Sequence, residues 1–426
     1  MRAMDDARDA GAWDDRPVPL DTAIALLEQD GRRAFAARAD AWETVSLARA
    51  TGHVLARDLA AICDHPNVDD ASLDGIACRA DDASGASEDA PVRLRIVGES
   101  AAGRPYPGRV GPGEAIRIQT GAAVPDGANA IVPVERLRDE GDHVAVFEAA
   151  SEGAVRPRGQ DVRTGEIGLG AGRRIDAAAI ALAAAMGHAE LPVRVPLRVA
   201  LLTGGDEVVP PGGTLGPGDV FDANGPALAA LVRAAGAEPV SLPPVRDDLG
   251  ALEAALDAAP PFDLLLTCGG ISMGRYDRVR DLLREHGRVA FRKVLLKPGG
   301  PATFAHLHGR PWLALPGNPV SASVTFLVLA RAWLDRASGQ DAPLPYARRL
   351  PAHAGAPLRS AGPKTTLLRV AVSREDGRLI ARPAGDQNSG VVRTLAAADA
   401  LAIVPPSTQL SPGDPVDVVP LAPHLG

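Results

Sequence analysis

Apolar and polar positions change rhythm several times along the chain, and each rhythm predicts a different kind of element. From residue 20, "LDTAIALLEQD" spaces its apolar residues as a helix does, with Asp21 placed to cap it, and "VSLARATGHVLARDL" reads as helix, glycine turn and strand. Between about 60 and 165, short alternating runs such as "VRLRIV", "AIRIQT" and "HVAVFEA", broken by Gly, Pro and Asp, predict a β-rich region. "AAAIALAAAMG" predicts one apolar helix, closed by Gly187 and folded back on the N-terminal segment. From residue 197 strands and helices alternate: "LRVALLT", "GPALAALVRAAG", "PVSLPPV", "LGALEAALDAA", "FDLLLTCGG", "RVRDLLREHG". This predicts a doubly wound, mostly parallel sheet covered on both faces, with ligands at the carboxyl ends of its strands. After about 346, runs such as "TTLLRVAVS" and "ALAIVPP" predict a small β-barrel or sandwich.

The chain thus reads as multidomain α/β plus β. The expected division is 18–59 with 166–195 for an elongated, discontinuous linker domain, 60–165 for a β-rich domain, 196–343 for the α/β domain and 344–426 for a C-terminal β-barrel. Composition narrows the function. A net charge of -8 and 3% aromatics argue against a nucleic-acid or membrane-surface role, which needs clustered cations or stacking platforms. Three scattered cysteines make no disulfide framework or zinc pattern, the N-terminus lacks an apolar signal core, and the Ala-rich run is too short to span a bilayer. A cytoplasmic protein is expected.

Four segments of the α/β region end a strand in glycine with polar residues just beyond. "LLTGGDEV" sets Asp206 and Glu207 after two glycines, either as exposed acids of a tight turn or as holders of a hard cation such as Mg2+ beside phosphate oxygens. "TCGGISMGRYD" runs an apolar strand into Gly269, Gly270, Ser272 and Gly274, a backbone cradle for an anion; Asp277 after it reads equally as a helix cap or as a metal or water ligand. In "KVLLKPGGPATF", residues 293–304, Lys293 and Lys297 are four apart, so on a continuous strand both would share one face above a stiff turn. An edge strand guarded by lysines would look the same. "LALPGNPVSAS" fixes a turn through Pro316, Gly317, Asn318 and Pro319 and opens a helix at Val320 or Ser321, whose hydroxyl or first-turn amides would meet an anion. Elsewhere "RPRGQD" gathers Arg156, Arg158 and Asp161 near the acids of "VDDASLDG", as a salt-bridge cluster or as one wall of an anion site.

The segments "DDASLDGIA", "RIQTGAAVP", "RGQD", "TGGDE", "CGGISMGRYD", "KVLLKPGGP", "LPGNPVS" and "GDQNSG", in this order, closely resemble the molybdopterin molybdenumtransferase family, that is, the MoeA proteins and the gephyrin E domain. The resemblance covers about residue 20 to the C-terminus. It implies a four-domain homodimer that inserts molybdate-derived molybdenum into the dithiolene of adenylylated molybdopterin and releases AMP, using Mg2+. A molybdopterin adenylyltransferase and apo-molybdoenzymes are the implied protein partners. Carried over by position, Asp277 is the Mg2+ or water-positioning carboxylate, with Asp206, Glu207 and Asp247 as metal-site acids. Lys293, Lys297, Ser272 and Ser321 face phosphate or molybdate, and Arg369 and Ser389 meet an oxyanion. Asp74, Thr120 and Asp161 come from the partner subunit. Residues 70–73 depart from the usual Asn-Ser-Ala-Met, Cys268 and Gly204 replace common hydroxyl residues, and Gln160 stands for Glu. Gly300 replaces a frequent lysine, a missing cation for which Arg275 or Arg292 would be the expected substitutes. That loss motivates the alternative of a non-catalytic carrier or regulator that binds molybdopterin or molybdate.

Overall fold

The computed structural model describes residues 16–243, 254–269, 287–340, 343 and 345–421. The apolar strands at 198 and beyond join a six-stranded sheet in the order Glu238–Ser241, Arg198–Gly204, Leu264–Gly269, Arg310–Leu315, Thr303–Leu307, Gly287–Phe291. The first four are parallel and Thr303–Leu307 pairs antiparallel with both of its neighbours, so the expected mostly parallel sheet is present with a single reversed strand. Alternation along the strands fills both faces: Leu201, Leu264, Leu266 and Leu313 enter one core with helices Asn224–Ala234 and Arg331–Ala337. Ala200, Leu202, Leu265 and Trp312 fill the opposite face.

The first helix, Leu20–Ala37, departs from expectation. It starts one residue before Asp21, which lies in the first turn and does not cap. Its buried stripe of Leu20, Ala23, Ile24 and Leu27 packs into the α/β core. Against Arg331–Ala337 the contact is polar too. Trp333 Nε1 donates to Asp30 Oδ1 at 2.8 Å, and His306 Nε2 lies 3.0 Å from Asp30 Oδ2. Burial pushes the Asp30 carboxyl up, but hydrogen bonds from His306 and Trp333 more than offset this and hold it below its ordinary value.

The linker is a thin layer of paired ends. Trp42–Ser46 pairs antiparallel with Glu190–Arg194, and Leu59–Ala60 with Ile167–Leu169. The alanine-rich helix Ala177–Ala185 packs on this layer as expected. Asp176 caps it by accepting from Ala179 N, and Gly187 at φ +93° ends it in the left-handed conformation that glycine alone adopts without penalty. The β-rich region forms a second sheet in the order Ala130–Pro133, Gly75–Cys78, Glu114–Ile118, Val92–Ser100, His143–Val146, Leu137–Asp139.

The C-terminal region is a closed barrel. Thr365–Glu375 pairs with Arg378–Pro383 on one side and Ala400–Val404 on the other, and Leu350–Ala354 and Pro415–Pro420 complete the ring. One further strand joins from outside: Leu296–Lys297 runs parallel to Thr365 and Thr366. The α/β domain and the barrel therefore share a ladder at the lysine turn.

Candidate active site

Two adjacent parallel strands end on glycine, at Gly204 and Gly269, and a third, Arg310–Leu315, ends two residues before Gly317. Gly204 and Gly269 are register partners, and a Cβ on Gly269, whose φ is +99°, would stand 2.2 Å from the Gly204 carbonyl oxygen. A Cβ on Gly317 would stand 3.4 Å from Gly269 Cα. Only glycine fits so close an approach at Gly269, whereas Gly317 makes an ordinary contact; Gly204 and Gly269 are half-buried and Gly317 is exposed. Just beyond the first strand, Glu207 folds over the turn, with Oε2 2.6 Å from where a Gly205 Cβ would be. Cys268 is buried and donates to Pro316 O at 3.0 Å. Desolvation, followed by the charge of Asp222, pushes its thiol up to about 12, so it is a structural group rather than a nucleophile.

The Pro316-Gly317-Asn318-Pro319 turn is held from two sides. Helix Pro319–Thr325 begins at the proline itself, one residue before the earliest expected start, because proline is preorganised for the first helical position. Asn224 Nδ2 donates to Gly317 O at 2.8 Å. Asn318 Nδ2 donates to Ser389 Oγ of the barrel at 3.0 Å. Ser321, in the first turn, is 5% exposed.

The lysine turn is not the continuous strand from which a shared cationic face was inferred. Leu296 N donates to Val294 O at 2.7 Å, a tight bend that breaks the two-residue alternation between Lys293 and Lys297. Lys293 O accepts from Val18 N at 2.9 Å, which ties that end to the N-terminal segment. Lys297 turns to the barrel and lines a cavity of about 360 Å³ with Pro298, Arg359, Ser360, Arg369 and Gln387. Arg369 is 1% exposed. Its guanidinium donates to Thr394 Oγ1 at 2.9 Å, Asp386 O at 2.9 Å and Asn388 O at 3.1 Å. It therefore shapes the 386–389 loop that carries Ser389.

Residues 18–187 match the family described as MoeA N-terminal region (domain I and II), residues 200–336 a probable molybdopterin binding domain, and residues 351–421 the MoeA C-terminal region (domain IV). The chain is 39% identical over 371 residues to molybdopterin molybdenumtransferase 2 of Mycobacterium tuberculosis, covering 85% of this chain and 90% of that one. It belongs to the molybdopterin molybdenumtransferase family. A Nostoc molybdopterin molybdenumtransferase is 33% identical, with 89% of this chain and 88% of the relative aligned. The crystal structure of a molybdopterin biosynthesis MoeA protein from Pyrococcus horikoshii superposes with a TM-score of 0.77 at 26% identity, covering 95% of this chain and 99% of that one.

In this family member, Gly270, Ser272, Gly274, Asp277 and Asp247 lie outside the described residues, as does Arg275. Asp74 and Thr120 are brought together: Thr120 donates its amide to Asp74 Oδ1 at 2.6 Å and its hydroxyl at 2.9 Å. The amide first, then the hydroxyl, hold the Asp74 carboxyl below its ordinary value. Asp161 is exposed nearby in sequence to a settled salt-bridge cluster. Arg156 forks onto Asp70 at 2.7 and 2.8 Å, and Asp69 accepts from Arg158 N at 2.7 Å, so these charges brace the loop. Among the described residues, no three His, Cys, Asp or Glu side chains gather as a ligand set for a metal ion.

Two site residues escaped the sequence reading. Asp222 Oδ1 accepts from the amides of Asn224 and Gly225 at 2.9 Å each and so caps helix Asn224–Ala234, which sets the Asn224 carboxamide against Gly317. The Asp-Ala-Asn sequence between an apolar pair and a helix was the available signal.

Proposed function

We propose that the chain catalyses the last step of molybdenum cofactor assembly: it binds adenylylated molybdopterin and molybdate, transfers molybdenum to the dithiolene and releases AMP. The observation that carries this reading is that the strand-end turn at Gly317 and Asn318 is tied to the barrel by the Asn318–Ser389 hydrogen bond, while the barrel carries a cavity lined by Lys297 and Arg359. Backbone amides and cations are what a phosphoanhydride and a molybdate oxyanion both require. The names of the relatives agree with it.

In this reading Lys297 neutralises oxyanion charge, with Lys293 behind the bend. Gly269, Gly270, Ser272 and Gly274 are proposed to admit the substrate close to the backbone. Pro316, Gly317, Asn318, Pro319 and Ser321 contribute the turn and first helical turn beside it, and Arg369 sets the Ser389 loop. Asp206, Glu207, Asp247 and Asp277 are the carboxylates that would hold Mg2+, whose charge would offset that of phosphate when bound. Asp74, Thr120 and Asp161 belong to the reading as the partner subunit's wall of a homodimeric site. The division at 60–165, 196–343 and 344–426, with 18–59 and 166–195 as linker, goes with it, as do a cytoplasmic setting, a supplying adenylyltransferase and receiving apo-molybdoenzymes.

The test is to incubate purified protein with adenylylated molybdopterin, Mg2+ and molybdate, then follow AMP release and reconstitution of an apo-molybdoenzyme. AMP and active enzyme are expected. Tight binding without AMP release would overturn the reading in favour of a carrier.

A further inference from the structure

Of the 45 Lys and Arg residues in the chain only three are lysine: Lys293, Lys297 and Lys364. Arginine serves every other position that needs a permanent cation, so a lysine here is not a default of composition. Two of the three lie in the 293–304 stretch. The third is brought to the same turn by the shared ladder, in which Thr365 N donates to Leu295 O at 3.0 Å and Leu296 and Lys297 face Thr365 and Thr366.

The placement is close. A Cβ on Gly300 would stand 3.8 Å from Lys364 Nζ and 3.1 Å from Leu296 O. The absence of a side chain at Gly300 leaves this space to the Lys364 ammonium. Lys364 is exposed, and among the described residues none of the three ammonium groups has a carboxylate partner. Lys297 and Lys364 thus come from the two sides of the shared ladder, without a carboxylate partner among the described residues, beside a cavity lined by Lys297 and Arg359.

We propose that Lys364 is an anion-binding residue of this site, supplying from the barrel the charge that Gly300 does not carry, for a tetrahedral oxyanion held together with Lys297. The proposal rests on the functional reading above and adds a residue to it. An ammonium is a compact charge with three rotatable donors and meets a tetrahedral oxyanion from any side, whereas a guanidinium demands a planar, two-point approach. This accounts for lysine in a chain otherwise built with arginine.

The full chain is titrated separately with sodium molybdate and with AMP by calorimetry, at low and high salt. Lys364→Ala is expected to weaken at least one of the two anions about ten-fold at low salt, with a smaller loss at high salt. Which anion responds tells molybdate from nucleotide phosphate. Lys364→Arg should not restore full affinity, and adding Gly300→Lys to Lys364→Ala should recover part of it. Lys364→Gln keeps the stem without the charge, and its unchanged melting temperature separates lost binding from lost fold. Arg378→Ala, at the far tip of the Thr365–Glu375 hairpin, should bind as the wild type does. Wild-type affinity for both anions in Lys364→Ala overturns the proposal, as does an equal loss in Arg378→Ala, which would mean diffuse charge. If the unaltered protein binds neither anion, the functional reading falls as well.

Discussion

Asn318 and Ser389, 71 residues apart, meet through a 3.0 Å hydrogen bond that joins the proline-glycine turn of the α/β domain to the 386–389 loop of the barrel. The donor sits at the cap of helix Pro319–Thr325, and Arg369 fixes the loop of the acceptor, so each partner is held independently before they touch. Ser389→Ala should therefore leave the fold almost intact, costing about 0.5–1.5 kcal/mol. AMP release should fall by a larger factor than this stability change implies. Urea unfolding alongside single-turnover AMP release checks both.

Gly269 is the least replaceable of the strand-end glycines. Gly269→Ala asks for a left-handed backbone, which costs about 1–2 kcal/mol in a non-glycine residue, and drives a methyl group into the Gly204 carbonyl. Loss of at least about 2 kcal/mol is expected, together with loss of anion binding. Gly212→Ala, also at positive φ but with no atom within 4 Å of the new methyl, should show the backbone cost alone.

The Asp30 carboxylate is buried among His306 and Trp333, and Trp333→Phe removes one donor from it. A hydrogen bond to a charged group contributes roughly 1.5–3 kcal/mol, so a loss of that order is expected in chemical denaturation. Since the lost donor lies between the first helix and the α/β core, proteolysis within residues 20–37 should quicken in parallel.

Asp64 gives a prediction for acid. Its carboxyl is lowered from 3.8 to about 2, chiefly by the Thr164 amide, then by the Thr164 hydroxyl and Arg158. A folded pKa below the unfolded one means that the contribution is present above pH 4 and lost as pH falls toward 2. Melting temperatures of wild type and Asp64→Asn measured down this range should converge. A constant gap would show that the charge is not what braces the 156–164 loop.

Much of this was legible from local pattern. Apolar runs closing on glycine marked the strand ends because a close backbone approach excludes side chains, and the position of Gly187 followed from helix-end chemistry. What was not legible depends on distant partners. An amphipathic helix does not name the surface it covers, so the helix Leu20–Ala37 was read with the linker and found on the α/β core. The shared face of Lys293 and Lys297 assumed a straight strand, and the Leu296 to Val294 hydrogen bond bends it. The approach of Lys364 to Gly300 was not legible either, because it depends on the ladder that brings Thr365 of the barrel against Leu296.

That ladder also has a mechanical meaning. Lys297 belongs to the α/β domain by chain connection and to the barrel by hydrogen bonding, so the barrel cannot rotate away from the sheet without dragging the lysine or breaking its peptide pairs. A hinge placed here would move positive charge whenever it moved mass. Distance measurements between labels on the barrel and on the sheet would, on this account, follow the occupancy of the anion cavity and report on substrate without touching it.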